Sequence, residues 1–269
     1  MIERALAGLL VAATVALAAR RAHALSLGGV AAAVGVGGAA VAAGWGWGVL
    51  LIGYFVASIA LSRLRGAEKA QRTGDVVAKG GARDAFQVVA NGGLFAVMAL
   101  AAEALAPGSL PARTFAAAAL GALAASAADT WATEIGSLAS RPPRSILTWR
   151  PVAPGTSGGV NLLGMLAMVA GAAFVAFGGR VLAIEVPIAA VVLAGFLGAI
   201  ADSIVGATLQ DRRWCDTCQK STERMVHGCG TPTRHAGGLT VVDNDLVNLI
   251  ATFAGAAIAA LIVHSRAAA

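Results

Sequence analysis

Two short segments place an acid where an apolar residue is expected. Ala128-Asp129-Thr130 and Ala201-Asp202-Ser203 stand 73 residues apart, each toward one end of a long apolar run. An aspartate inside a membrane span costs about 2.5–3.5 kcal/mol even on a lenient insertion scale, so such residues face a bundle interior or a water-filled cavity and usually mark a site. On a helix Asp129 shares a face with Thr133, and Thr130 shares one with Glu134. Asp129, Asp202 and Glu134 are therefore the candidate catalytic acids. The bland alternative is a set of snorkelling or structurally hydrogen-bonded carboxylates.

Asp243, Asp245 and Asn248 open another apolar run. One acid suffices to cap a helix, and two are more than a cap needs. With Asp129 and Asp202 they form a candidate Mg²⁺ set, because Mg²⁺ takes carboxylates together with water and phosphate oxygens. Phosphate has its own candidates. Lys79 precedes Gly80-Gly81, and Arg83, Gln87 and Asn91 follow at helical spacing on one face. Helix N-termini favour anions, and glycines let backbone approach a ligand closely. No Walker A pattern is present. A second stretch offers Arg144, Arg150, Thr156, Ser157, Gly158, Gly159 and Asn161, in which the arginines could fork a phosphate and Thr156 or Ser157 could cap the next helix. Interhelical hydrogen bonding and plain flanking charge are the competing explanations for these polar residues. A third loop holds Cys215-Asp216-Thr217-Cys218, then His227 and Cys229. The spacing supplies four zinc ligands, or else three reduced thiols with no metal.

These residues need elements to carry them. The 269-residue chain is 58% hydrophobic and 13% charged, against about 25% charged in a soluble domain, and its mean hydropathy is +0.76. Composition reads as an all-α polytopic membrane protein, one integral domain over 1–269. Spans of roughly 17–25 residues are expected near 4–19, 25–42, 44–62, 84–105, 114–136, 160–178, 186–209 and 241–263. That makes eight, with six or seven as the alternative if the N-terminal spans within 1–43 do not cross. Residues 1–20 lack a basic segment ahead of the apolar run and read as a retained span rather than a signal peptide.

Charge then sets the sides. Of the 20 Lys and Arg, only Arg4, Arg113, Arg180 and Arg266 fall outside the loops after the first, third, fifth and seventh spans. By the positive-inside rule those crowded loops are cytoplasmic. The expected place is the inner (plasma) membrane of a bacterium, with the active-site loops inside. The net charge of +6 is read as topology, and no nucleic-acid partner is expected. Gly80-Gly81, Gly158-Gly159 and Gly237-Gly238 each end a basic loop and open a span. The expected repeat is span, basic loop, Gly-Gly, span, inserted in parallel, with copies near 44–105, 114–178 and 186–263 inside a core of 63–264.

Together these segments resemble the domain-of-unknown-function family that contains transmembrane protein 19 and plant phytyl-phosphate kinase. The carrying residues are Lys79 to Gly93, Ala128 to Gly136, Pro154 to Val160, the Cys215-to-Cys229 loop and Leu239 to Asn248. The likeness covers nearly the whole chain and is densest over 73–250. It implies a membrane-bound lipid phosphate kinase. Through Ala-Asp-Thr and Ala-Asp-Ser it extends to the polyprenol and dolichol kinases, whose members tend to use CTP. Ala201 stands where the family carries glycine. The expectation is therefore phosphoryl transfer from a nucleoside triphosphate, CTP favoured, to an isoprenoid lipid monophosphate, with Mg²⁺ as cofactor and membrane lipid as surroundings. An ion- or proton-coupled transporter and a transferase forming a cytidine-diphospho-lipid stay open, and the sequence assigns no oligomeric state.

Overall fold

The computed structural model describes residues 2–268. Among the described residues nine helices follow in order: α1 (Ile2–Arg21), α2 (Leu27–Ala43), α3 (Trp45–Arg63), α4 (Gly66–Thr73), α5 (Ala85–Glu103), α6 (Leu110–Gly136), α7 (Leu162–Val181), α8 (Ile188–Leu209) and α9 (Asn244–Ala268). Six of them, α3 and α5 to α9, are long and apolar enough to cross a bilayer, and α2 is a shorter apolar helix. The chain is an all-α polytopic membrane protein. The eight expected spans each fall on a helix, with ends displaced by a few residues where caps set them, but six helices plus the shorter α2 match the alternative of six or seven crossings in place of eight. Asp84 caps α5 in a reciprocal box, accepting from the Gln87 N–H at 3.0 Å while its own N–H donates to Gln87 Oε1 at 3.1 Å. Asn161, and not Thr156 or Ser157, caps α7, accepting from the Gly164 N–H at 2.8 Å.

Two features lie outside the sequence expectation. The loop after α3 contains the short helix α4. The later loops contain small antiparallel ribbons, β1 (Arg144–Ser145) with β2 (Gly159–Val160), and β3 (Arg212–Cys215) between β4 (Lys220–Thr222) and β5 (Arg234–Gly237). Strands this short carry too little alternation to be read from sequence.

Helix α6 is the hub, packing against α3, α5, α7, α8 and α9. From Ala117 to Ala128 it is buried all round, the signature of a helix at the centre of a bundle. Its side chains there are mostly alanine, which lets neighbouring backbones come close, the usual way helices associate in lipid. The α6–α9 crossing is tightest at Gly121 and Gly255, where a Cβ added to Gly121 would stand 2.3 Å from the Gly255 carbonyl oxygen. The α8 crossing uses Gly195 and Gly198 against Ala124 and Ala125. Helices α1 and α2 pair with each other, and α2 lies along α5. Their connecting turn is stitched to the start of α5: the Arg83 N–H donates to the Ala24 carbonyl at 2.9 Å and the Ser26 N–H to the Arg83 carbonyl at 3.0 Å.

The loops after α3, α6 and α8 gather at one end of the bundle. Arg72 donates to the Ala139 carbonyl at 2.9 Å. The Glu223 N–H donates to the Val76 carbonyl at 2.8 Å, and Ser157 donates to the Glu223 carboxylate.

The α6–α9 contact predicts a graded response to added volume. Gly121→Val forces backbone apart and is expected to lower stability by about 3 kcal/mol, the upper end for overpacking. Gly35→Ala meets no atom within 4 Å and is expected to stay within about 0.5 kcal/mol of the parent. Thermal unfolding in detergent distinguishes them, and equal midpoints for the two variants would contradict the hub.

Candidate functional site

The gathered loops roof a chamber of about 630 Å³ whose floor is formed by α6 and α8. Asp129 and Asp202 meet there, within hydrogen-bonding reach of each other. Asp202 Oδ2 is buried and has no partner among the described residues. Two carboxylates this close need a proton or a cation between them. Thr130, Thr133 and Ser203 stand beside them on the wall.

The roof is the segment 154–159. Gly158 has a positive φ of 76° and lies flat on α8, where a Cβ would stand 2.4 Å from the Ala207 Cβ and 2.6 Å from the Ser203 carbonyl. Only glycine tolerates both the conformation and the space. Gly159, Thr156 and Ser157 complete the strip. Ser157 donates to Glu223, which enters the chamber from the loop that follows β4. Burial raises the Glu223 carboxyl above the ordinary glutamate range, although hydrogen bonds from Ser157 and Gln210 work the other way. Sequence reasoning passed over Glu223. The one available signal was an acid standing alone between Lys220 and Arg224.

The expected site residues divide into three groups. Asp129, Asp202, Arg83, Thr156, Ser157, Gly158, Gly159 and Asn248 all face the chamber. Others line it but are already engaged. Glu134 is ion-paired with the buried Lys69 of α4. Lys79 bridges Asp84 at 2.9 Å and Asp245 at 2.5 Å. Burial opposes the lysine charge, but these two carboxylates outweigh it and hold the Lys79 pKa above its usual value. Gln87 serves the α5 cap. Asn91 accepts from Ser126 at 2.9 Å, and Ser126 meets the Tyr54 hydroxyl at 2.7 Å, so this amide ties α5, α6 and α3 together. Asn161 caps α7 and donates to the Gly136 carbonyl at 3.0 Å.

The third group stands apart from the chamber lining. Arg144 turns back on its own hairpin, donating to the Trp149 carbonyl at 2.7 Å, and Arg150 is exposed on the same ribbon. Asp243 is exposed and caps α9 through the Leu246 N–H at 3.0 Å. Asp245 is spoken for by Lys79. The chamber's arginines are Arg83, Arg141 and Arg224. Arg224 donates to the Gly74 carbonyl at 2.8 Å. The guanidiniums of Arg83 and Arg141 make no ion pair or hydrogen bond among the described residues, which leaves two forked donors open to an anion. Arg141 was visible in the sequence only as flanking charge.

A separate apolar crevice of about 80 Å³ runs between α1, α2, α3 and α5. It is lined by residues such as Val11, Ala33, Val36, Leu51 and Phe55, and it meets the chamber at Arg83, Gln87 and Asn91. The cysteines and His227 lie elsewhere, with their ligand atoms within 4.8 Å of one another beside the β3–β4 turn.

The Lys69–Glu134 pair predicts a specific pattern. Lys69→Met strands a largely buried carboxylate and is expected to cost about 3 kcal/mol. Adding Glu134→Gln should recover most of that loss in the same thermal unfolding assay. Additive losses would show that the two residues act independently.

No solved structure matches the chain. Among curated proteins it is 31% identical over 228 residues to Protein PGR of Arabidopsis thaliana, covering 76% of this chain and 77% of that protein. It is 28% identical over 218 residues to an uncharacterized membrane protein of Methanocaldococcus jannaschii, covering 80% of this chain and 75% of that one. The model of one protein family, described as integral membrane protein DUF92, matches residues 10–256. The likeness inferred from the motifs thus rests on nearly the full length, and the chain belongs to the DUF92 family of integral membrane proteins.

Proposed function

We propose that the protein is a lipid phosphate kinase that moves a phosphoryl group from a nucleoside triphosphate, CTP favoured, onto an isoprenoid lipid monophosphate. The observation that carries this reading is a single chamber that joins a carboxylate pair, two unpaired arginines and the mouth of an apolar crevice. A soluble metabolite has no use for the crevice. An amphiphile with an anionic head uses all three. By the positive-inside rule the chamber opens to the cytoplasm, where nucleotides are available, and the membrane is the plasma membrane of a bacterium.

In this scheme an acceptor phosphate oxygen attacks the terminal phosphorus of the donor. The bond from that phosphorus to the bridging oxygen breaks, and the nucleoside diphosphate leaves with the electron pair. The acceptor is already an anion, so no strong base is required. Such chemistry is positioning plus charge stabilisation. Arg83, at the junction of chamber and crevice, grips the lipid phosphate. Arg141 and the flat Gly158-Gly159 backbone hold the donor. Asp129, Asp202 and Glu223 suit Mg²⁺, whose oxygen-ligand preference matches three carboxylates and the unpartnered Asp202 Oδ2. When bound, the ion offsets negative charge on the transferring phosphoryl group. Lys69, Lys79 and Asn91 fix the walls.

The test uses purified protein with labelled CTP or ATP, Mg²⁺ and phytyl or geranylgeranyl phosphate. A lipid diphosphate product is expected. Asp129→Asn and Asp202→Asn should each lose at least about a hundredfold in kcat, in line with removal of one charge-stabilising group. Arg83→Gln should act mainly on the KM for the lipid. Asp243→Asn, outside the chamber, should keep parental rates. Pyrophosphate release in place of lipid diphosphate would favour the transferase. No turnover, with ion flux into proteoliposomes abolished by Asp129→Asn, would favour transport and end the kinase reading.

Glu223 sets a pH dependence. Its raised pKa means that it takes up a proton as the pH falls through a point above the usual glutamate value of about 4.3. The chamber then loses an anion suited to Mg²⁺, so at limiting Mg²⁺ the activity should fall on the acidic side, and raising Mg²⁺, which favours the ionised carboxylate, should move that limb to lower pH. Glu223→Gln should be slow at every pH and lack that limb. An unchanged profile in the variant would remove Glu223 from the site.

A further inference from the structure

We propose that Cys215, Cys218, His227 and Cys229 hold one structural zinc ion, and that this ion fixes the hairpin that presents Glu223 and Arg224 to the chamber. The four ligand atoms lie within 4.8 Å of one another. Two tight turns bring them together. Strand β3 ends on Cys215, and the following turn returns at Cys218, whose N–H donates to Cys215 Sγ at 3.4 Å. An amide aimed at the first sulfur of a Cys-x2-Cys turn stabilises a thiolate there. The second turn closes through the His227 N–H to the Thr231 carbonyl at 2.9 Å and the Gly230 N–H to the His227 carbonyl at 2.8 Å.

The spacings suit a tetrahedral ion. Zinc–sulfur bonds of about 2.3 Å put two sulfurs on one tetrahedron about 3.8 Å apart, and a sulfur and an imidazole nitrogen about 3.6 Å apart. Cys215 Sγ and Cys229 Sγ are 3.7 Å apart, and His227 Nδ1 is 3.3 Å from Cys229 Sγ. A disulfide would need about 2.05 Å, and the three cysteines are free. Three soft thiolates with one imidazole select zinc over the hard cations suited to the chamber.

Hydrogen bonds such as those from Arg213 to Thr233 and from Arg224 to Gly74 tie the loop down, but it has little apolar core of its own. Between Gln210 and Val242 the buried side chains are Cys215, Thr222, His227 and Thr233 at the ribbon, with Gln210 and Val242 at its ends. That is almost no apolar core for a three-stranded ribbon, and small units of this kind are usually stapled by a metal or disulfides. Glu223 follows β4 directly, so the knuckle holds the backbone from which its carboxylate reaches Ser157. The site stands independently of the phosphoryl-transfer reading.

The experiment measures metal content of the purified full chain by elemental analysis. About one zinc per chain is expected in the parent, and less than a fifth of that in Cys215→Ser and Cys218→Ser. Because those variants could misfold, the parent is also titrated with an organomercurial thiol reagent in the presence of a chromogenic zinc chelator. Release of zinc in step with thiol modification supports the site. Metal removal should further open Lys220 and Arg224 to trypsin while the membrane spans stay intact. Absence of zinc, iron in its place, or a tryptic pattern that ignores metal removal would each overturn the proposal.

Discussion

The backbone-to-backbone approach of α6 to its neighbours governs everything else in the molecule. In lipid there is no hydrophobic gain from bringing one apolar helix to another, so association rests on packing and on buried polar contacts. The alanines from Ala117 to Ala128 and Gly121 among them, with Gly195, Gly198 and Gly255 opposite, remove the side-chain volume that would hold helices apart. That closeness brings α8 within reach of α6 and so sets Asp202 against Asp129. A bulkier hub would leave each acid isolated in its own helix, where its cost is not shared with any partner.

Around that pair the charged residues have been sorted by engagement. Lys69 and Lys79 are matched by carboxylates and act as struts between the loops and the bundle. Arg224 is tied to a carbonyl. Arg83 and Arg141 are the cations left with donors to spare. Lysine and arginine are interchangeable for topology, which needs only charge. They differ for recognition, because the rigid fork of arginine suits phosphate. The division at this chamber follows that difference.

Much of the fold was legible in the sequence because apolar runs of membrane length are a strong signal, and the two acids stood out as exceptions inside them. Arg144 shows where legibility ended. It lies in the same basic loop as Arg141, but a two-residue ribbon and the left-handed Trp149 (φ 56°) turn it away. Asn91 and Asn161 looked like ligand amides, since a sequence does not show whether an amide already has partners. Glu223 was hidden for the opposite reason. Its placement depends on Ser157, 66 residues earlier in the chain, and on the shape of a loop with no periodicity.

The bridge from Lys79 to Asp245 joins residues 166 positions apart. It has a consequence for biogenesis. Synthesis runs from the N-terminus, and contacts of large sequence separation form last. Asp129 therefore enters the membrane before α8 exists to face it, and Lys79 has no α9 partner until the final helix emerges. The nascent protein must carry its acid in a half-built bundle until the remaining chain arrives. A stop codon before α9 would leave that intermediate permanent, with its charges exposed and no chamber to receive them. Quality control could recognise an unfinished copy by that exposure.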